Sequence, residues 1–411
     1  MASRPPPSRV QIPRTVWALG FVSMFMDISS EIIHALLPLY LTATLGVSVA
    51  MVGLIDGVAE ATASITKVFS GYISDRMGKR KPLILIGYGL GALSKPLFAL
   101  AGTASVIMGA RFADRIGKGL RGAPRDALVA DVTPPEIRGR AFGLRQSIDT
   151  LGAFLGPVIA IVAMAAFAND MRTVFWLAVI PAAIAVLLVL FGVEDAKTPS
   201  GEATARVPVR LSDLRQLPKA FWLLVGIGAV FTLARFSEAF LILKANAEGL
   251  PLALTPLVLV AMNAIYMLAA YPLGSLSDRV SAKSMLVGGL VLLIAADLSL
   301  ALLPGLVGAF VGIAVWGLHM AVTQGLFAKL VADRSPEQLR GSAYGIFNLV
   351  TGLTLLAASV IAGVLWDAEG PTTTFVAGAA FASVALAGLV LIRSNHNSQI
   401  LTAQAPPTIG H

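Results

Sequence analysis

The chain has no cysteine, only four histidines, and charged residues make up just 13% of its 411 positions. Without cysteine there can be no disulfide, no thiolate metal site and no cysteine nucleophile. Soluble globular proteins carry about 25% charged residues, so this charge content excludes a soluble enzyme. It also excludes a disordered chain and a nucleic-acid-binding domain, both of which need far more charge. No HExxH or GxSxG motif stands in an apolar run, and no phosphate-binding glycine loop marks ATP as an energy source. Those absences point away from an enzyme, and the sequence calls for no cofactor. Residues 1–14 are basic and proline-rich, and the apolar run after them is too long for a signal-peptide core. What is present is apolar: 56% of the residues are hydrophobic. The composition predicts a polytopic membrane protein.

A membrane helix needs about 20 mainly apolar residues. Runs of that length, divided by Pro, Gly and charge clusters, predict an all-α membrane protein of twelve spans in two six-helix bundles, 15–192 and 219–393. A polar stretch, 193–218, reads as the linker, with tails at 1–14 and 394–411. Putting the N-terminus in the cytoplasm leaves Arg172 as the only basic residue in the opposite loops. The positive-inside rule then places both termini and the linker in the cytoplasm, in the cell (inner) membrane. The net charge of +8 follows from topology and not from nucleic acid. The two bundles repeat each other. GYISDR at Gly71–Arg76 returns as GSLSDR at Gly274–Arg279, and Leu128–Gly143 returns at Leu330–Gly345, with offsets of 203 and 202. Parallel repeats meeting at a midplane site are a transporter architecture.

On these residues the chain resembles the major facilitator superfamily along its whole length, and within it the twelve-helix drug/proton antiporter-like branches. The segment Gly71, Asp75, Arg76, Gly78, Lys79 and Arg80 resembles the family's signature loop between helices 2 and 3, with a degenerate copy holding Asp278 and Arg279. The resemblance implies that this loop gates the conformational switch, and Gly71 is expected to allow close helix approach. Arg111–Gly119 resembles the Arg-bearing motif associated with proton coupling, with Arg115 where a glycine is usual. Gly152–Pro157 resembles the antiporter motif without its trailing double glycine, and tilts the direction toward export.

The intramembrane charges are lopsided. On span 4, Arg111, Asp114, Arg115, Lys118, Arg121, Arg125 and Asp126 share an arc of roughly 140° at 100° per residue. Their repeat equivalents include Ile313, Gly317, Met320 and Phe327. A charge at a lipid-facing helix centre costs roughly 2.5–3.5 kcal/mol, so such residues face a bundle interior or a cavity. Arg115, Lys118 and Arg111, with Glu31 and Glu238, are the expected solute-binding residues, because guanidinium and ammonium suit an anionic group. Asp27, Glu31 and Asp149, with Arg145 as a modulating cation, are the expected proton-coupling residues. The expected partners are a small solute, protons and the lipid bilayer, with no nucleic acid, and the chain is expected to be a monomer. Three alternatives stay open: a proton-coupled uptake symporter, a divalent-metal or metal-chelate carrier using Asp27, Glu31 and His34, and a transport-dead sensor.

Overall fold

The computed structural model describes residues 11–77, 79–134, 137–195, 217–276, 280–336 and 339–391. The expected tails and linker lie outside this set, apart from residues 11–14, 193–195 and 217–218. Among the described residues every regular element is helical.

The first half holds α1 (Arg14–Thr44), α2 (Val49–Met77), α3 (Lys81–Leu100), α4 (Ala104–Val132), α5 (Arg138–Ala166) and α6 (Met171–Gly192). The second holds α7 (Lys219–Ala247), α8 (Leu257–Leu276), α9 (Ala282–Leu302), α10 (Gly305–Asp333), α11 (340–369) and α12 (371–391). Among the described residues ten helices are long and apolar enough to cross a membrane. That count treats the 48-residue run Ala343–Val390 as one, although Gly370 (φ 86°, ψ 178°) breaks it ahead of Pro371. Only a residue without Cβ adopts that backbone cheaply, and the following proline restarts a helix. The count also omits α4, whose 29 residues are long enough to cross but too highly charged.

Helix α4 is inside out by the standards of a water-soluble protein. Its buried face carries Arg111, Asp114, Arg115 and Arg121, while Phe112 on the opposite face is 47% exposed. In a bilayer the outer solvent is hydrocarbon, so charge must turn inward to find partners. Glycines let it do so at close range. A Cβ on Gly117 would lie 2.6 Å from the carbonyl oxygen of Gly87 on α3, and one on Gly87 would lie 2.7 Å from that of Gly117. Close small-residue contact of this kind drives helix packing where the hydrophobic effect cannot. At Gly71, by contrast, a Cβ would meet Ala123 at 3.4 Å, an ordinary contact. The close approach expected there is found instead along α3, α4 and α5.

The two halves touch along two seams, α2 against α11 and α5 against α8. Buried apolar packing crosses from half to half where Ile32, Leu36 and Tyr40 join one cluster with Phe236, Phe240 and Trp316. Toward the Arg80 end the first half has a separate core around Leu19, Met26, Tyr88 and Val189. The halves are therefore packed together at the Asp367 end, with a cavity between them nearer the other.

Candidate functional site

Close packing of α1, α2, α3 and α5 around α4 sets the charged groups into a ladder. Arg111 Nη2 donates to Asp56 Oδ1 at 3.0 Å. Lys95 Nζ donates to Asp114 Oδ1 at 2.7 Å and to Ser30 Oγ at 3.0 Å. Arg115 Nη1 lies 3.2 Å from Glu60 Oε1, and its Nε lies 3.8 Å from Asp114 Oδ2. One turn on, the Arg121 guanidinium stacks 4.6 Å above the Tyr88 ring. Arg125 reaches Ser23 Oγ at 3.0 Å and Asp126 at 3.2 Å. Arg125 and Arg145 both approach Asp149 Oδ1, at 3.8 and 3.7 Å. Each pair is buried or half-buried, where removing one partner would strand a charge.

Helix α1 joins the ladder through α5. A Cβ on Gly156 would fall 2.6 Å from Glu31 Cβ, and one on Gly152 would run into the Met24 backbone. This approach brings Asp27 beside Asp149, and both line a cavity of about 200 Å³. Gln146, Thr150 and Phe154 of α5 complete the wall from the first half. Asn263, Tyr266 and Met267 of α8 and Gln324 of α10 form the opposite wall. Asp27 lies thirteen residues past Arg14, ~20 Å along a helix rising 1.5 Å per residue and so within the hydrocarbon core. Among the described residues Asp27 makes no hydrogen bond or ion pair, and Lys118 is exposed with no such partner either. Five guanidinium nitrogens also lack an acceptor: Arg111 Nε, Arg115 Nε, Arg121 Nη1, and Arg145 Nε and Nη1. The first half thus has N–H donors to spare.

The expected residues divide as follows. Arg111 and Arg115 are 3% and 5% exposed, and each is paired with a carboxylate of α2 within the ladder. Lys118 is open. Glu31 Oε2 accepts from the His34 Nδ1–H at 3.4 Å. Glu238 ends a break in α7 and is half-buried. Asp27 and Asp149 line the cavity, and Arg145 lies 3.7 Å from Asp149. For the metal alternative, no group of three or more His, Asp or Glu among the described residues is placed to hold an ion.

In the signature loop, Arg80 donates from its Nη1 to Ser74 Oγ at 2.6 Å and sits 3.3 Å from Asp131. Asp195 accepts from the Arg80 and Lys81 backbone N–H groups at 2.9 and 2.8 Å, capping α3. Lys79 is exposed. The Asp75 and Arg76 side chains, Gly78, Asp278 and Arg279 lie outside the described residues. The sequence reading missed Asn263, Tyr266 and Gln324. They are uncharged, and a count of charges passes over single amides and phenols in apolar spans.

A bundle of membrane-length helices in two repeated halves, with a polar cavity between them, defines a multi-pass membrane carrier. The Major Facilitator Superfamily profile matches residues 19–359, and the chain belongs to that family. It is 31% identical over 390 residues to an uncharacterized MFS-type transporter of Methanocaldococcus jannaschii, covering 93% of this chain and 95% of that one. It is 27% identical to the multidrug resistance protein MdtH of Photorhabdus laumondii, over 85% of each. Among solved structures, a peptide transporter POT shares the fold at TM-score 0.77 and 14% identity, over 95% of this chain and 96% of the other. The nucleoside transporter NupG does so at TM-score 0.75 and 14% identity, over 92% and 99%.

Proposed function

We propose that this chain is a proton-coupled secondary carrier working by alternating access, exporting a small organic solute with an anionic group. The cavity between the halves carries this reading, because its wall presents the unpaired carboxylate of Asp27 at membrane depth. A carboxylate there can take up a proton from one side and release it on the other as the halves rock. The open ammonium of Lys118 supplies the complement to an anionic group. Antiport rests on the span-5 Gly-Pro motif and on the multidrug resistance relatives. The two six-helix units, the cytoplasmic linker 193–218, and the cytoplasmic tails 1–14 and 394–411 belong to the same proposal.

The test is flux in proteoliposomes across a panel of organic anions, cations and neutral solutes, with and without an imposed pH gradient. Gradient-driven movement of an anionic solute, lost in Asp27→Asn while solute exchange persists, is the expected outcome. Transport indifferent to the gradient would remove the proton. A preference for cations unaffected by Lys118→Gln would remove the anion. For orientation, a cysteine at Ser200 should label only from the cytoplasmic side.

A further inference from the structure

Two sets of hydrogen bonds join the halves among the described residues, and both end on α2. At its start, the backbone N–H groups of Val49 and Ala50 donate to Asp367 of α11 at 2.9 and 2.8 Å, in an exposed setting. Seven residues further in, Ser237 Oγ of α7 donates to Asp56 Oδ2 at 2.8 Å. The other Asp56 oxygen is held by Arg111 at 3.0 Å. Asp56 is 5% exposed and Arg111 3%, so this link is an interior one.

Ser237 occupies an unusual place. Helix α7 stops at Ala234 and resumes at Ala239, and the residues between are Arg235, Phe236, Ser237 and Glu238, with neither proline nor glycine among them. A break inside a membrane helix frees backbone groups that must be satisfied from within the protein. Here the Ser237 N–H donates to Ser359 Oγ of α11 at 3.2 Å, and the Ala239 N–H donates to Ser237 Oγ at 3.2 Å. Because that hydroxyl already accepts from Ala239, its own proton is directed at Asp56. The neighbouring backbones leave no slack, since a Cβ on Gly53 would run into the Ser359 carbonyl. Phe236, the other side of the same break, packs into the second half against Phe240, Trp316 and Phe375 at centroid distances of 5.2–5.6 Å. One short segment therefore ties the core of the second half to the charge ladder of the first.

We infer that Asp56 and Ser237 are positioning residues for the transport step, forming the interior pin that holds the Asp367 end of the carrier shut. That end cannot open without parting α7 from α2. Both links end on a carboxylate, and the part-buried one at Asp56 resists parting more than the exposed ones at Asp367. The pin also links the gate to Arg111, so any rearrangement of the ladder on solute or proton binding reaches it. The inference rests on alternating access, but not on the identity of the solute or the use of protons.

The test reads a distance in the absence of any solute. The chain has no native cysteine, so nitroxides can be placed at Thr44→Cys and Glu369→Cys, at the Asp367 end of each half, without background. The protein is held in lipid nanodiscs and the distance distribution is recorded by pulsed electron paramagnetic resonance. Ser237→Ala should raise the long-distance, open fraction about tenfold relative to the closed one. Ser237→Thr, which keeps the hydroxyl, should restore the parent distribution. Ser359→Ala, which loosens the break without touching Asp56, should shift it in the same direction but less. An unchanged distribution in Ser237→Ala would overturn the pin, even if its melting temperature fell. Equal shifts in Ser237→Thr and Ser237→Ala would overturn it too, by assigning the effect to packing.

Discussion

The two halves are copies of one scaffold built with opposite interiors. In the first, α4 presents Arg111, Asp114 and Arg115 to acids and a lysine on its neighbours. In the second, the repeat-equivalent helix α10 carries Ile313, Gly317 and Met320 at the positions of Arg111, Arg115 and Lys118. There the interior is aromatic, with Phe236, Phe240, Trp316, Trp366 and Phe375 in mutual contact. Both halves bury their helices well, so the six-helix architecture does not need charge. The ladder of the first half is thus not required by the six-helix scaffold. Buried ion pairs barely repay their desolvation, and a structural role alone would be served as well by apolar residues. The second half shows such a solution in place.

This contrast can be broken by moving charge between the halves. Gly317→Arg puts the first half's guanidinium at the equivalent place on α10, where a Cβ alone would come 2.7 Å from the Met262 carbonyl oxygen. With no space for the side chain, the variant should give no monodisperse folded protein on size-exclusion chromatography. Next in size, Asp114→Ala strands the buried Lys95 ammonium and leaves Arg115 to Glu60 alone, and loss of one partner of a buried pair costs about 3–5 kcal/mol. Thermal unfolding in detergent checks it, and a loss below ~1 kcal/mol would mean that the ladder relaxes freely.

Smaller effects sharpen the comparison. Asp27 has no partner among the described residues, so Asp27→Asn should change stability by less than ~0.5 kcal/mol, as at sites outside any network. It should nonetheless abolish accumulation driven by a pH gradient, which would separate the transporting carboxylate from the structural ones. The smallest effect belongs to the second half's charged edge. Glu248 accepts from Lys244 and from the Gly305 N–H, and these bonds, the Lys244 one foremost, hold its carboxyl below the usual range. A carboxyl depressed on folding stabilises above its unfolded pKa, and that contribution is lost as pH falls through the folded value. Glu248→Gln should therefore lower the melting temperature slightly at neutral pH, by no more than about 2 °C, because the amide oxygen keeps an acceptor for the buried Lys244 ammonium. The difference from the parent should vanish toward pH 3.

The duplication, the membrane class and the stripe of charge on α4 were legible in the sequence, because helical period and hydropathy are local properties. Partner choice was not. Lys95 pairs with Asp114 because Gly87 and Gly117 bring α3 against α4 in one register, and Glu60 with Arg115 because Gly119 brings α4 against Ala63 and Thr66 of α2. That register is a property of two helices together. Arg115, which as a sequence feature suggested a ligand, lies folded against a carboxylate, while Lys118 three residues on is left open.

The sequence by itself determined that this chain lives in a membrane, that it is two copies of one helical unit, and that one copy holds most of the intramembrane charge. Those features follow from composition and repetition, which need no neighbours to be read. Only the tertiary structure decided which charges are paired, that Asp27 and Asp149 share a cavity with Asn263, Tyr266 and Gln324, and that Ser237 reaches across to Asp56. Inside hydrocarbon a polar group must find its partner within the protein, and the partner is set by which helices pack together and how closely.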